Sequence, residues 1–369
     1  MTTPAHLLPA SSTKFERALS EATDPTARLS GAIASLHGFK FTPPPTVLPY
    51  LVYEYGLGEL TPYVPNLYEL IPEGVAWTRL RGTPAAVDRA LGWLGYAAEI
   101  EEAPVRRTRW NLFQLHLDRI RDDESDLEPV EGVAELSTPL RSVFWRGFHG
   151  YDVRALEYGR GRWSGARYGS SSGVSIREGG AKWSFGRPYS FDHAMTEADL
   201  IALGVWIEPT GDAEPAWLDI EWPDIAWSDL GGDARSALML LGVPAGTAWA
   251  CFRDAGGEVI GYRRAGVHRR VGEATGGPYE FGGLRYAPLA SGAEIILIEA
   301  LTEFGDGFGS TAASVSFILA GEPADPDSPG ALWLGPGELT ANLPEIAPTP
   351  IDIEFGRTVR ERVRILLRF

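Results

Sequence analysis

Arg81-Gly-Thr-Pro-Ala-Ala-Val-Asp-Arg-Ala-Leu-Gly-Trp-Leu-Gly-Tyr96 is the stretch on which the fold class turns. Thr83 offers a side-chain oxygen to the free N–H groups of a helix start, and Pro84 suits the first turn, where its missing N–H costs nothing. Val87, Leu91 and Leu94 then fall on one face, and Gly95 can take the left-handed conformation that closes a helix. Beyond it the apolar period changes from 3.6 towards 2. Phe113, Leu115 and Leu117 alternate with Gln114, His116 and Asp118, the pattern of a half-buried strand. A helical region over residues 1–108 followed by strand-rich regions makes the chain α+β.

Working back from this helix, Thr13 and Glu16 have the spacing of a capping box, and Phe15, Ala18, Leu19 and Ala22 follow at helical intervals. Asp24-Pro25 is a second start signal, with Leu29, Ala32, Ile33 and Leu36 forming one stripe and Gly38 a fitting stop. Pro43-Pro44-Pro45 is a stiff connector to a further apolar segment at residues 47–57.

Working forward, residues 122–128 form an acidic break. A mixed, β-rich middle region is expected over residues 109–205, with a Gly/Ser-rich turn at 165–173 and one short capped helix at 196–203. Residues 206–369 read as an antiparallel β-sandwich-like domain. Asp254-Ala-Gly-Gly257 is a hairpin turn, residues 295–301 and 313–319 are strands, and Val363, Ile365, Leu367 and Phe369 predict a final strand with one buried face. Trp217, Trp222 and Trp227 recur every five residues, which fits neither a helix stripe nor a strand face. They read as separate anchors.

A length of 369 residues implies two or three domains. The formal net charge of -16 argues against a nucleic-acid partner, which needs surplus Lys and Arg. The Arg-rich stretches at 263–270 and 357–368 read as solvated strand faces. A single cysteine, Cys251, cannot make an internal disulfide and is expected to be buried. No signal peptide and no membrane-inserting segment is expected, so the chain is made in the cytoplasm and stays soluble until it meets a partner.

Catalytic signals are weak. Gly169-Ser-Ser-Ser-Gly173 matches the nucleophile-elbow pattern, but a polar run precedes it and strand-like residues follow, so a turn is the better reading. The six histidines are scattered, without zinc-ligand spacing. Gly305-Asp-Gly-Phe-Gly309 lacks the Lys-Ser/Thr of a phosphate loop and reads as a surface turn. A non-enzyme without cofactor or metal is the expectation.

Leu48-Pro-Tyr-Leu-Val-Tyr-Glu54 resembles the "LP-x-LA-x-E" stretch of the phage tail protein I family, and Gly82-Thr83 through Leu94-Gly95 resembles its glycine-threonine turn and following helix. Leu7-Leu-Pro9 ahead of the first helix is similar to the family's opening. Tyr151-Asp-Val-Arg154 and Gly180-Ala-Lys-Trp-Ser-Phe-Gly-Arg187 resemble stretches of some longer members. The chain departs from the family where an Arg-rich helix is replaced by residues 70–79, with Pro72 and Gly74 counting against a continuous helix. The resemblance implies a baseplate wedge subunit of a contractile tail. It would join a second wedge protein, two copies to one of this chain, and neighbouring wedges around the hub, with the C-terminal region as mount for a tail fibre or adaptor. The interface candidates it suggests are Leu48, Pro49, Leu51, Glu54, Gly82, Thr83, Val87, Leu91, Leu94, Lys182, Trp183 and Arg187. A carbohydrate-binding or carbohydrate-cleaving tail protein, with Trp217, Trp222 and Trp227 as stacking platforms, is the alternative.

Overall fold

A computed structural model describes residues 8–38, 43–102, 110–120, 124–154, 171–208, 234–289 and 293–369. Two compact units divide the chain, residues 1–89 and 90–369.

The first unit is helical. α1 (Lys14–Ala22) starts with the expected reciprocal cap, the Glu16 N–H donating to Thr13 Oγ1 and the Thr13 N–H to Glu16 Oε2 at 2.7 Å. α2 (Thr26–Gly38) opens with the Thr26 N–H held by Asp24. α3 (Leu48–Glu54) buries Leu48, Leu51 and Val52 and ends at Gly56, whose φ of +67° lets the Leu57 N–H reach the Val52 carbonyl at 2.9 Å. α4 (Leu67–Leu80) runs unbroken through Pro72. The interruption expected at Pro72 and Gly74 does not occur. Pro72 lies in the second turn on the exposed side, while Gly74 is buried. A Cβ at Gly74 would lie 2.8 Å from both Leu57 methyl carbons, so the glycine is what lets α3 and α4 approach.

α5 (Pro84–Trp93) crosses the division between the units, with Ala86, Val87, Ala90 and Leu91 buried. Gly95, at φ +72°, closes it: the Tyr96 N–H bonds to the Leu91 carbonyl and the Gly95 N–H to the Gly92 carbonyl. That pair of bonds satisfies carbonyls every helix end leaves open.

The second unit is built on a 14-stranded sheet. Its main strands are β1 (Ala98–Glu102), β2 (Leu112–Leu117), β3 (Val143–Gly150), β4 (Lys182–Ala194), β5 (Ala248–Arg253), β6 (Val259–Glu273), β7 (Ile295–Leu301), β8 (Thr311–Leu319), β9 (Ile346–Glu354) and β10 (Val359–Arg368). They lie in the order β1-β2-β3-β4-β10-β7-β6-β5-β8-β9. From β2 to β10 neighbours run parallel; the C-terminal strands from β10 to β9 pair antiparallel. α6 (Leu127–Ser137) bridges β2 to β3, and α7 (Glu197–Ala202) and α8 (Ala234–Gly242) precede β5.

β10 joins the middle and C-terminal regions in one sheet, from Val359 opposite Phe185 to Arg368 opposite Ala194. Its two faces both meet apolar neighbours, which corrects the single buried face expected from alternation. Val363, Ile365 and Leu367 share a core with Phe252, Phe317 and Ile346, so the sheet folds back over one enclosed face. Leu366 points to a second cluster with Val271, Tyr286 and Leu297. An interior strand has packing on either side of its pleat, and each such Leu or Ile contributes about 1.5–3 kcal/mol by leaving water. The hairpin between β5 and β6 forms as read, with Gly257 at φ +82° and the Asp254 carboxylate accepting from the Gly256 and Glu258 N–H groups.

Candidate functional site

The most organised polar constellation in the second unit surrounds Arg146 at the middle of β3. An arginine inside Val143-Phe-Trp-Arg-Gly-Phe-His-Gly150 has no exposure at all. Its Nε donates to the Ser172 carbonyl at 2.7 Å, its Nη1 to Asp152 Oδ2 at 2.9 Å and to Gln114 at 3.3 Å, and its Nη2 to Asp152 Oδ1. The Ser172 hydroxyl donates to the same carboxylate at 2.9 Å and lies 2.9 Å from the Ser184 hydroxyl. Asp152 comes from the Tyr151–Arg154 motif and Ser184 from the Gly180–Arg187 motif, so the network ties together two stretches singled out separately in the sequence. Burying a charge is costly unless it is paired and its donors are all used; the planar fork of arginine meets both conditions here.

Close glycines make room for this joint. A Cβ at Gly147 would lie 2.4 Å from the Trp183 ring, which is wholly buried, and one at Gly186 would lie 2.5 Å from the Tyr151 carbonyl. Beside it, the buried Glu131 of α6 accepts from Arg177 and from the Ala181 N–H at 2.8 Å. Arg187 donates to the buried Glu361 at 3.0 Å and to the Glu354 carbonyl at 2.6 Å.

The constellation offers no nucleophile. Ser172 is held by Asp152, Arg146 and Ser184, and no histidine is among its described partners. Ser171 to Gly173 lead into a two-residue strand, Val174–Ser175, rather than the helix an elbow requires; Gly169 and Ser170 lie outside the described residues. Burial pushes the Cys251 thiol up to about 12, with Glu345 adding to the effect, so it carries no thiolate near neutrality. Among the described residues no cluster of three or more His, Cys, Asp or Glu could hold a metal ion, and no helix is long and apolar enough to cross a membrane. Gly305, Gly307 and Gly309 all have positive φ in a surface turn between β7 and β8.

The Arg-rich stretches are only in part the solvated faces expected: Arg269 is exposed, but most of the other arginines are paired. Arg263 pairs with Asp306 at 2.9 Å, Arg360 donates to the Thr302 carbonyl, Arg362 and Arg364 converge on Glu299, and Arg368 takes Asp192. The two stretches lie on β6 and β10, interior strands whose neighbours bring carboxylates and loop carbonyls within reach.

The interface candidates differ in burial. Leu48, Leu51, Val87, Leu91 and Trp183 are buried within the chain. Pro49, Glu54 and Thr83 are exposed, Gly82 makes a turn at φ +87°, and Leu94, Lys182 and Arg187 are half-buried. Trp217, Trp222 and Trp227, on which the carbohydrate reading rested, lie outside the described residues.

Exposed apolar surface is concentrated elsewhere in the first unit. α1 buries no residue, with Phe15 75% exposed, and Ile33 of α2 is 59% exposed. On α3, Tyr50 and Tyr53 are 75% and 88% exposed. Sequence periodicity located the stripes of α1 and α2 but could not say how much of them is exposed among the described residues.

Residues 8–141 match the family described as phage tail protein (Tail_P2_I). The resemblance read from the motifs at residues 48–54 and 82–95 therefore stands over this stretch, and the match supports a structural role in a phage tail. No curated protein matches the chain.

Proposed function

We propose, from the match of residues 8–141 to the phage tail protein family, that the chain is a structural subunit of the baseplate wedge of a contractile tail, without enzymatic activity of its own. It assembles with a second wedge protein, two copies to one of this chain, and with neighbouring wedges around the hub. The β-rich remainder mounts a tail fibre or adaptor.

One observation carries this reading. Among the described residues, the apolar stripe of α1 and Leu29 and Ile33 of α2 are exposed. A nine-residue helix is marginal in water on its own propensity, so a period of apolar residues along it has its physical use against a partner. The second wedge protein is the partner that covers them.

Purified tails of a phage encoding this chain test the reading. The protein is expected in them in fixed ratio to the other baseplate proteins, as counted by quantitative mass spectrometry. Phe15→Ser combined with Leu19→Ser should lower that occupancy roughly ten-fold, the equivalent of about 1.4 kcal/mol of lost docking. Tails that lack the wild-type chain would overturn the proposal.

A further inference from the structure

Residues 43–78 contain five tyrosines, four glutamates and no lysine, arginine or histidine. The structure sorts these residues by face. α3 buries Leu48, Leu51 and Val52 and turns Tyr50, Tyr53 and Glu54 outward, spaced i, i+3 and i+4 and so side by side. Glu54 makes no ion pair among the described residues, whereas Glu73 is taken by Arg89 at 2.9 Å and Glu59 has Arg81 only at 4.0 Å. The helix is firmly mounted, because the Gly56 stop drives Leu57 into the space Gly74 leaves on α4.

We propose that Tyr50, Tyr53 and Glu54 form a docking surface for an arginine-bearing face of another tail protein. This rests on the reading of the chain as a tail subunit and adds the chemistry of one contact. Tyrosine rings held on a fixed helix lose little side-chain freedom on binding, and a guanidinium both stacks on such rings and pairs with a carboxylate. The unpaired Glu54 and the absence of any basic residue across residues 43–78 set the sign of the partner. A second copy of this chain docking through the same face is disfavoured as occupant, because two copies of an acidic face repel.

The test uses intact tails. With Tyr53→p-benzoylphenylalanine in the chain, irradiation is expected to join position 53 to an arginine-bearing segment of a different tail protein. Glu54→Arg should reduce the chain's occupancy in tails roughly ten-fold at an unchanged unfolding midpoint, while Tyr53→Phe, which keeps the stacking ring, should leave occupancy at the wild-type level. A cross-link to a second copy of this chain, a cross-link to a segment without arginine, or wild-type occupancy of Glu54→Arg would each overturn the proposal. If the wild-type chain is itself absent from tails, the baseplate reading fails first, and that result is distinct from the other three.

Discussion

The two units treat water in opposite ways. In residues 1–89, Phe15, Ile33, Tyr50 and Tyr53 stand in solvent, while in residues 90–369 Arg146, Glu131 and Glu361 are buried. The second unit has completed its interior down to its charges, each drawn to an opposite charge or a backbone group. The first has buried the inner faces of α3, α4 and α5 and the loop residues between them, while α1 buries none. A region that leaves apolar stripes open is built to be finished by something else, and a region that hides ion pairs is built to hold a fixed shape.

The comparison breaks most sharply at Leu91. Leu91→Asp puts a carboxylate where no exposure remains, beside the carbonyls that close α5, and should cost more than about 4 kcal/mol. Urea denaturation would show little folded protein, so any loss from tails would follow from unfolding. A wild-type midpoint would mean that this position is not core.

Arg146→Ala comes next, at about 3 kcal/mol, because Asp152 then keeps only the Ser172 and Ser184 hydroxyls and the half-exposed Arg154 at 3.5 Å. Replacing both partners by apolar residues, Arg146→Met with Asp152→Leu, should recover most of the loss. Recovery would mean that the pair specifies the joint more than it stabilises it.

A smaller effect is expected from acid. Arg253, with Ser316, holds the Glu345 carboxyl below its ordinary value of 4.5. A depressed folded value means stability that is present above 4.5 and lost as pH falls through the folded value. Unfolding midpoints should therefore drop on acidification, and less steeply in Glu345→Gln. An identical slope in both proteins would remove Glu345 from the acid response.

The smallest stability effect belongs to the first unit. Phe15→Ser with Leu19→Ser should move the midpoint of the isolated protein by less than about 0.5 kcal/mol, while changing its occupancy in tails. A large destabilisation would mean that α1 is covered within the chain, and the contrast between the units would dissolve.

Legibility in the sequence followed the range of the forces involved. The Thr13 cap, the Gly95 stop, the hairpin at Asp254 and the strand at residues 112–117 were all readable, because each depends on bonds or spacings within a few residues. The site was readable only in pieces. Tyr151–Arg154 and Gly180–Arg187 stood out as motifs, but Arg146, which joins them, announced itself only as a charge inside an aromatic run.

The amino-acid sequence by itself determined where helices begin and end, where the period changes from 3.6 to 2, and that the N-terminal part resembles a phage tail protein. Tertiary structure alone decided that α4 passes through Pro72, that the last strand lies parallel to β4, and that Arg263 of β6 and the arginines of β10 are spoken for. It also decided which stripes are core: Leu91 is buried and Phe15 is not, though both lie on helices with the same apolar period. Periodicity states that a face is apolar. Only the placement of distant segments states whether anything in the chain lies against it.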